Sequence, residues 1–261
     1  MKHGMDKKAL ERIYNQYNRR EFVHPDPLEF LYNYPDLKDM EIVGLVASSL
    51  AYGKVAQILK KTSLILDVMG SCPSSFLKKA SHHFLLDVFS GFAHRFATGE
   101  QMACLLTGAK RVISEHGSLC NCFLKGMADS DDTILPGLTF FANQLAEDKK
   151  RSPGHLIALP QRKSACKRLN LFLRWMVRKD DVDPGGWDEA PQSKLIVPVD
   201  THMHRIGIRL GFTNRKQADM KTAMEITEGF KKIAPLDPIR YDFSMTRFGI
   251  RGDLDNDAYG L

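Results

Sequence analysis

The chain has 261 residues, of which 43% are hydrophobic and 26% charged, enough for one large domain or two small ones that share a core. Lys and Arg number 37 against 31 Asp and Glu, a formal charge of +6 that only mildly favours anionic partners. No apolar run in the sequence reaches the eighteen or so residues that a membrane span needs, so a membrane span is not expected. The charged beginning of the chain and five scattered cysteines predict a reduced, cytoplasmic protein.

Hydrophobic residues recur mostly at helical spacing, and glycine and proline cluster in a few places, so the predicted fold is all-α. The predicted helices are Met5–Tyr17, Pro27–Tyr32, Met40–Tyr52, Val55–Met69, His82–Phe96, Glu100–His116, Leu119–Lys125, Ile134–Glu147, Cys166–Arg178, Thr201–Leu210, Ala218–Ile233 and Pro238–Ile250. Residues 149–154 form a basic, polar segment that predicts a surface loop. A second polar loop at 180–187 begins with an acidic run, predicted to be solvated, and is followed by the apolar run Leu195–Val199.

The predicted helix Cys166–Arg178 has an apolar side and a polar side. Its polar residues Lys167, Asn170, Arg174 and Arg178 follow one another at spacings of three or four, which places them on one stripe with three positive charges. This pattern predicts contacts with an anionic partner, and Asn170, Arg174 and Arg178 become candidate phosphate contacts.

The segment Pro198–Arg205 carries the most chemistry. Its Asp-Thr-His-x-His pattern resembles the metal motif of the amidohydrolases, in which two imidazoles on a strand share an ion. Those barrel enzymes need most of a domain of about 250 residues after the motif, whereas 57 residues follow His204 here. On a helix, His202 and His204 would lie about 200° apart and could not share a metal. We therefore predict no metal and no cofactor, with a metal-dependent hydrolase as the lesser alternative.

A second resemblance spans most of the chain and is sharpest from Leu159 to Leu210. A Leu-Pro turn at Leu159 precedes a helix that has a lysine near its start, and a later segment reads Val-Asp-Thr-His-x-x-Arg around Asp200. This order resembles the endonuclease III superfamily of helix-hairpin-helix DNA glycosylases. In that family the backbone of the hairpin binds a phosphate, and an Asp at the mouth of the base pocket opens the next helix.

The resemblance implies an all-α, two-lobed helix-hairpin-helix glycosylase fold. One lobe would cover residues 36–194, and the other would combine residues 1–35 with 195–261. No cysteine follows Cys166, so the iron–sulfur cluster of many relatives is not expected.

The resemblance further assigns two catalytic residues. Asp200 would stabilise the cation-like sugar as the base leaves, and Lys167 would attack the sugar as nucleophile to form a Schiff base. Lys163 is the competing candidate for the nucleophile. The glycine-containing turn of the family is absent here, and Lys167 follows the Leu-Pro turn two residues later than the family's lysine does. The plainer alternatives are a helix-capping role for Asp200 and a solvated charge for Lys167.

The expected partner is double-stranded DNA that holds a damaged base, bound by a monomer. The distance in sequence from Lys167 to Asp200 is similar to that in archaeal 8-oxoguanine glycosylases, and Pro198 precedes Asp200 by two residues, as in those enzymes. This resemblance suggests an oxidised purine as substrate. The chain is also similar to an uncharacterised bacterial branch of the superfamily. A helical module that binds nucleic acid without catalysis is the alternative from a different class.

Base flipping needs a side chain to fill the stack and a pocket for the base. Tyr52 is either the side chain that fills the stack or a half-buried residue at a helix end. Trp187 would either stack on the extruded base or anchor its own loop. His202 would line the pocket. Three further cations are candidate DNA contacts: Lys163, Arg205 and Arg209.

Overall fold

The computed structural model describes residues 6–148, 151–162 and 164–250. These ranges are predominantly helical, with one two-stranded antiparallel sheet, which confirms the all-α prediction at the level of fold class. The elements are α1 (Lys7–Tyr17), α2 (Leu37–Ser49), α3 (Val55–Met69), α4 (Pro73–Lys79), α5 (His82–Val88), β1 (Ala93–His94), β2 (Ala97–Thr98), α6 (Gly99–His116), α7 (Leu119–Lys125), α8 (Leu135–Leu145), α9 (Lys167–Val177), α10 (Thr201–Arg209), α11 (Met220–Lys231) and α12 (Asp242–Ile250). None of the described helices is long and apolar enough to cross a membrane.

Helix α2 lies at the centre of the core and packs against α9. It is buried almost all round from Ile42 to Ser49, which suits a helix surrounded by others. Gly44 permits the close approach, because a Cβ there would lie 3.2 Å from the Phe172 ring. The buried apolar residues of both helices belong to one core cluster that runs from Leu10 to Met245.

The first and last described helices meet, because α1 packs against α12. Glu11 on α1 accepts hydrogen bonds from Arg240 at 3.0 Å and from the Tyr241 hydroxyl at 2.6 Å, just before α12 begins. Arg247 on α12 in turn pairs with Asp26 at 2.6 Å. These contacts agree with an N-terminal segment that associates with the last helices, although the two-lobe division stays a prediction.

Several element boundaries differ from those predicted. Helix α2 begins earlier because the Asp36 side chain caps it, accepting from the Lys38 N–H at 2.8 Å. It also ends at Ser49, so Tyr52 follows the helix instead of lying on it. The predicted helix His82–Phe96 ends at Val88, and its last residues form β1 and the loop of the β1–β2 hairpin.

The region before α9 is also less helical than the resemblance implies. Its described residues form two 3₁₀ turns, Gly154–Leu156 and Pro160–Arg162, with Pro153 and Pro160 disfavouring a continuous helix. The run Leu195–Val199 is buried but is not part of the described sheet. It leads directly into α10.

Candidate functional site

A cavity of about 550 Å³ opens where the end of α2 meets the starts of α9 and α10. The segment around Asp26 closes one side of it. The polar side chains on its wall include Lys167, Asp200 and His202. The full lining is Pro25, Asp26, Pro27, Ala51, Tyr52, Gly53, Val55, Ile58, Ala158, Ser164, Lys167, Arg168, Leu171, Asp200, Thr201, His202 and Ala218.

Lys167 and Asp200 face each other at this cavity. The Lys167 Nζ lies 3.5 Å from the Asp200 Oδ2, and the two side chains are 33% and 22% exposed. Both groups are therefore reachable from solvent while packed on one side. These two residues are 33 positions apart in the chain. Only the resemblance to the helix-hairpin-helix glycosylases predicted that they belong to one site.

Asp200 is held rigidly because it is the N-cap of α10. Its Oδ1 accepts from the backbone N–H groups of His202 and Met203, each at 2.9 Å, which stabilises the first turn. The other oxygen, Oδ2, remains directed toward Lys167. Capping and a chemical role thus use different oxygens of the same carboxylate, so the two predicted roles are compatible.

Lys167 is the first residue of α9, and the backbone before it fixes that position. Cys166 adopts a left-handed conformation with φ 48°, and its N–H donates to the Ser164 Oγ at 3.1 Å. The buried thiol donates to the Ala158 carbonyl at 3.4 Å. Burial raises the pKa of this thiol to about 11, so Cys166 serves as an anchor for the start of the helix.

Arg168 and Tyr52 form the wall next to this pair. Arg168 donates to the Ser49 carbonyl at 2.8 Å and to the His155 carbonyl, and its guanidinium lies 4.8 Å from the centre of the Tyr52 ring. These bonds tie the start of α9 to the end of α2. Sequence reasoning missed Arg168 in this role, because its partners are backbone carbonyls that leave no sequence pattern.

The Tyr52 hydroxyl is fully engaged. It donates to the His94 carbonyl at 2.8 Å and accepts from the His155 Nε2 at 2.8 Å. Burial raises the pKa of Tyr52 and lowers the pKa of His155. The structure thus places Tyr52 in the cavity wall, partly buried and held by its hydroxyl group, and its role as a wedge stays a prediction.

Three of the predicted phosphate contacts are wrong, because their side chains lie inside the protein. Arg174 and Arg178 are each 2% exposed, and Asn170 is 1% exposed. The Asn170 amide donates to the Ala165 carbonyl at 3.0 Å. Since these groups are covered by packed helices, they cannot reach a DNA backbone.

The two buried arginines instead neutralise buried carboxylates. Arg174 contacts Asp183 at 3.1 Å and Asp242 at 2.6 Å. Arg178 contacts Asp237 at 2.9 Å and also pairs with Asp183. Burial alone would lower the pKa of Arg174, but the carboxylates outweigh it and raise this pKa. The acidic loop predicted to be solvated is therefore partly buried, with Asp183 fully inaccessible.

Trp187 does not line the cavity, and its predicted alternative as a loop anchor is the correct one. It is 1% exposed, and its ring packs 5.2 Å from that of Phe172. The indole N–H donates to the buried Glu41 at 2.8 Å. Burial raises the pKa of Glu41 although three N–H groups stabilise its charge. A base cannot stack on a tryptophan that is enclosed in this way.

The remaining predicted residues lie on α10 or outside the described ranges. His202 lines the cavity, whereas the His204 Nε2 donates to the Arg215 carbonyl at 2.8 Å. Within the described residues, no three His, Cys, Asp or Glu side chains cluster as metal ligands. His202 and His204 lie on α10, whereas the amidohydrolase pattern places its two histidines on a strand. Arg205 and Arg209 are exposed. Lys163 lies outside the described residues.

The family comparison covers nearly the whole of this arrangement. A family model described as "Protein of unknown function (DUF2400)" matches residues 26–251, and the chain therefore belongs to that family. The matched segment contains Lys167, Asp200 and every residue of the cavity lining except Pro25. Neither the curated proteins nor the solved structures that were compared gave a match.

Proposed function

We propose that this protein is a DNA glycosylase that removes a damaged base from duplex DNA through a lysine Schiff base. The observation that carries the proposal is the approach of the Lys167 Nζ to within 3.5 Å of the Asp200 Oδ2 at an open cavity. A nucleophilic amine beside a carboxylate is the pair of groups that this chemistry needs. The resemblance to the helix-hairpin-helix glycosylases supports the same pair independently of their distance.

Asp200 supplies the negative charge that departure of the base requires. As the glycosidic bond breaks, its electron pair leaves with the base and the sugar acquires positive charge at C1′, which a fixed carboxylate stabilises. Two backbone N–H groups hold the Asp200 Oδ1 in place. The carboxylate therefore needs little reorganisation when the charge develops.

Lys167 supplies the nucleophile. The neutral amine attacks C1′ with its lone pair, the base leaves with the electrons of the glycosidic bond, and the amine loses a proton to a base such as the nearby Asp200 carboxylate. Opening of the sugar ring then places the C1′–O electrons on the ring oxygen, which takes up a proton, and leaves a protonated Schiff base between Lys167 and C1′. This intermediate provides the route to strand cleavage by an AP-lyase step.

The cavity suits a flat heterocycle that has been rotated out of the duplex. Its volume of about 550 Å³ lies within the range of roughly 300–1,000 Å³ that is usual for small-molecule sites. Apolar side chains such as Val55, Ile58 and Leu171 form part of the wall, and His202 and Thr201 offer hydrogen-bonding groups. An oxidised purine such as 8-oxoguanine is the substrate that the family resemblance favours.

The exposed cations near the cavity fit a duplex partner. Arg205 and Arg209 are exposed on α10, the helix that Asp200 caps, and Arg162 and Lys54 are exposed beside the cavity-lining segments. Contacts of this kind with phosphates hold the duplex irrespective of its sequence. These four cations replace the buried arginines as the proposed phosphate contacts.

Borohydride trapping tests the proposal. Duplexes that hold 8-oxoguanine, uracil, thymine glycol, an abasic site or no lesion are incubated with wild type, Lys167→Ala and Lys163→Ala in the presence of borohydride. We expect a covalent adduct with a lesion duplex for wild type and Lys163→Ala, and none for Lys167→Ala. The adduct identifies the nucleophile and the substrate in one measurement.

Two results would contradict the proposal. An adduct that survives in Lys167→Ala would remove this residue as the nucleophile. No adduct together with no release of any base from the panel would contradict catalysis, and a duplex-binding titration would then test the alternative of a protein that binds nucleic acid without catalysis. Asp200→Asn serves as the control in the base-release assay, since it keeps the helix cap.

A further inference from the structure

The β1–β2 hairpin presents a phenylalanine to solvent. Its strands pair Ala93 with Thr98 and His94 with Ala97, so a two-residue loop of Arg95 and Phe96 forms the tip. Phe96 is 71% exposed, although a phenyl ring usually gains free energy from burial. Arg95 adopts φ 54°, the left-handed region, as tight hairpin loops require of a central residue.

The hairpin is fixed to the wall of the cavity. The buried His94 donates from Nε2 to the Tyr52 carbonyl at 3.0 Å, and Tyr52 returns a bond from its hydroxyl to the His94 carbonyl. The Arg95 side chain lies against Gly53, where a Cβ would approach its Cδ to 2.8 Å. Tyr52 and Gly53 both line the cavity, so the tip stands at its rim.

The tip also combines an aromatic face with a positive charge. The Arg95 guanidinium lies 5.4 Å from the centre of the Phe96 ring, and the His155 ring meets the same ring edge to face at 6.1 Å. His155 is itself bonded to Tyr52. An exposed ring on a short, anchored loop retains little freedom to lose on contact, which favours insertion between stacked bases.

We propose that Phe96 is the side chain that fills the space left in the duplex by the extruded base, while Arg95 pairs with a neighbouring phosphate. The proposal rests on the proposed glycosylase function and adds the residue that holds the duplex open. Phe96 suits this role better than Tyr52, whose hydroxyl is engaged by His94 and His155 and whose ring is covered by Arg168.

Binding to a duplex with a gap in its stack tests the proposal without any reaction. The probe is a duplex with a tetrahydrofuran abasic analogue flanked by 2-aminopurine, compared with the intact duplex of the same sequence. Dissociation constants and 2-aminopurine fluorescence are measured for wild type, Phe96→Ala, Phe96→Tyr and Phe84→Ala. Phe84 is the matched control, a 47% exposed phenylalanine on α5 that does not line the cavity.

We expect wild type to prefer the abasic duplex and Phe96→Ala to lose about tenfold of this preference, because stacking of one aromatic ring on a base accounts for an effect of this size. Phe96→Tyr should keep most of the preference and the fluorescence change, and Phe84→Ala should match wild type. Equal thermal unfolding of the variants shows that folding is intact, as the exposure of both rings predicts.

The failure of this inference is distinguishable from that of the proposed function. If wild type prefers the abasic duplex and forms the Lys167 adduct while Phe96→Ala keeps the full preference, Phe96 is not the inserted residue and the glycosylase proposal stands. If wild type forms no adduct, releases no base and does not prefer the abasic duplex, both proposals are overturned.

Discussion

The two ends of helix α9 carry cations that look alike in the sequence and lie in opposite surroundings. At its start, Lys167 is 33% exposed and faces one carboxylate at 3.5 Å across an open cavity. Near its end, Arg174 and Arg178 are 2% exposed and contact several carboxylates. The stripe predicted as a single binding surface is therefore divided between a solvent-accessible pair at the cavity and a buried ion network.

The difference teaches that the spacing of charges along a helix does not establish their exposure. Residues at intervals of three or four share a face, but the face is covered by different neighbours along its length. Around Arg174 and Arg178 the neighbours are Asp183, Asp237 and Asp242, from segments after α9. Four predictions break or sharpen the contrast between the two ends.

Loss of a buried arginine should have the largest effect, and it should act on stability. Arg174→Met removes the arginine that pairs with Asp242 and one of the two that pair with Asp183, and breaking buried ion pairs in this way costs about 3–5 kcal/mol. Urea denaturation measures the free energy of unfolding. Arg205→Met removes the same charge from an exposed site and should change stability little, so equal effects would contradict the buried network.

Asp200→Asn should act on catalysis at the other end of the contrast. Loss of the fixed charge is expected to slow base excision by about 10²–10³-fold, while the Asn cap preserves folding and duplex binding. Single-turnover excision and a binding titration measure the two quantities. Asp36→Asn, the same change at the exposed cap of α2, is the control and should leave excision unchanged; a fully active Asp200→Asn would remove the carboxylate from the mechanism.

The ion network should also respond to pH through Asp180, which contacts Arg178 at 2.9 Å. Burial works to raise the pKa of Asp180, but Arg178 and two backbone N–H groups outweigh it and lower this pKa. Its contribution to stability is therefore present above the value of about 3.9 of an unfolded chain and disappears as the pH falls through the lowered folded value.

We expect Asp180→Asn to be less stable than wild type at pH 7 by roughly 1–3 kcal/mol, with this difference shrinking below about pH 4. Denaturation at a series of pH values measures it. A difference between the two proteins that stays constant down to pH 2 would show that the charge of Asp180 contributes nothing.

Removal of the exposed cations on α10 should have the smallest effect. The measured quantity is the slope of the logarithm of the duplex-binding constant against the logarithm of salt concentration. Arg205→Gln and Arg209→Gln should each reduce the size of this slope by about 0.9 if the residue neutralises one phosphate. Excision under saturating protein should stay unchanged, because neither side chain lines the cavity. Lys125→Gln at the end of α7 is the control, and a slope lowered equally by it would mean that overall charge alone is responsible.

The sequence predicted most helices because amphipathic periodicity, capping residues and prolines act locally. α6 begins with a capping box at Thr98 and Gln101, and α7 has the predicted bounds Leu119–Lys125. The β1–β2 hairpin was missed because two-residue strands leave no period to detect. Phe96 was missed with it, and its exposure follows only from the loop conformation.

The sequence by itself determined the helical class, the cap at Asp200 and the position of Lys167 at a helix start, since each depends on residues within one or two turns. Tertiary structure decided which charged groups are enclosed and which face the cavity. Arg174, Arg178 and Trp187 are buried. Beside the nearby Asp183, the acidic partners of these residues are Asp242, Asp237 and Glu41, which come from segments distant in the chain and reach them only when the helices pack. The exposure of a charge is a property of its surroundings, and these form when the chain folds.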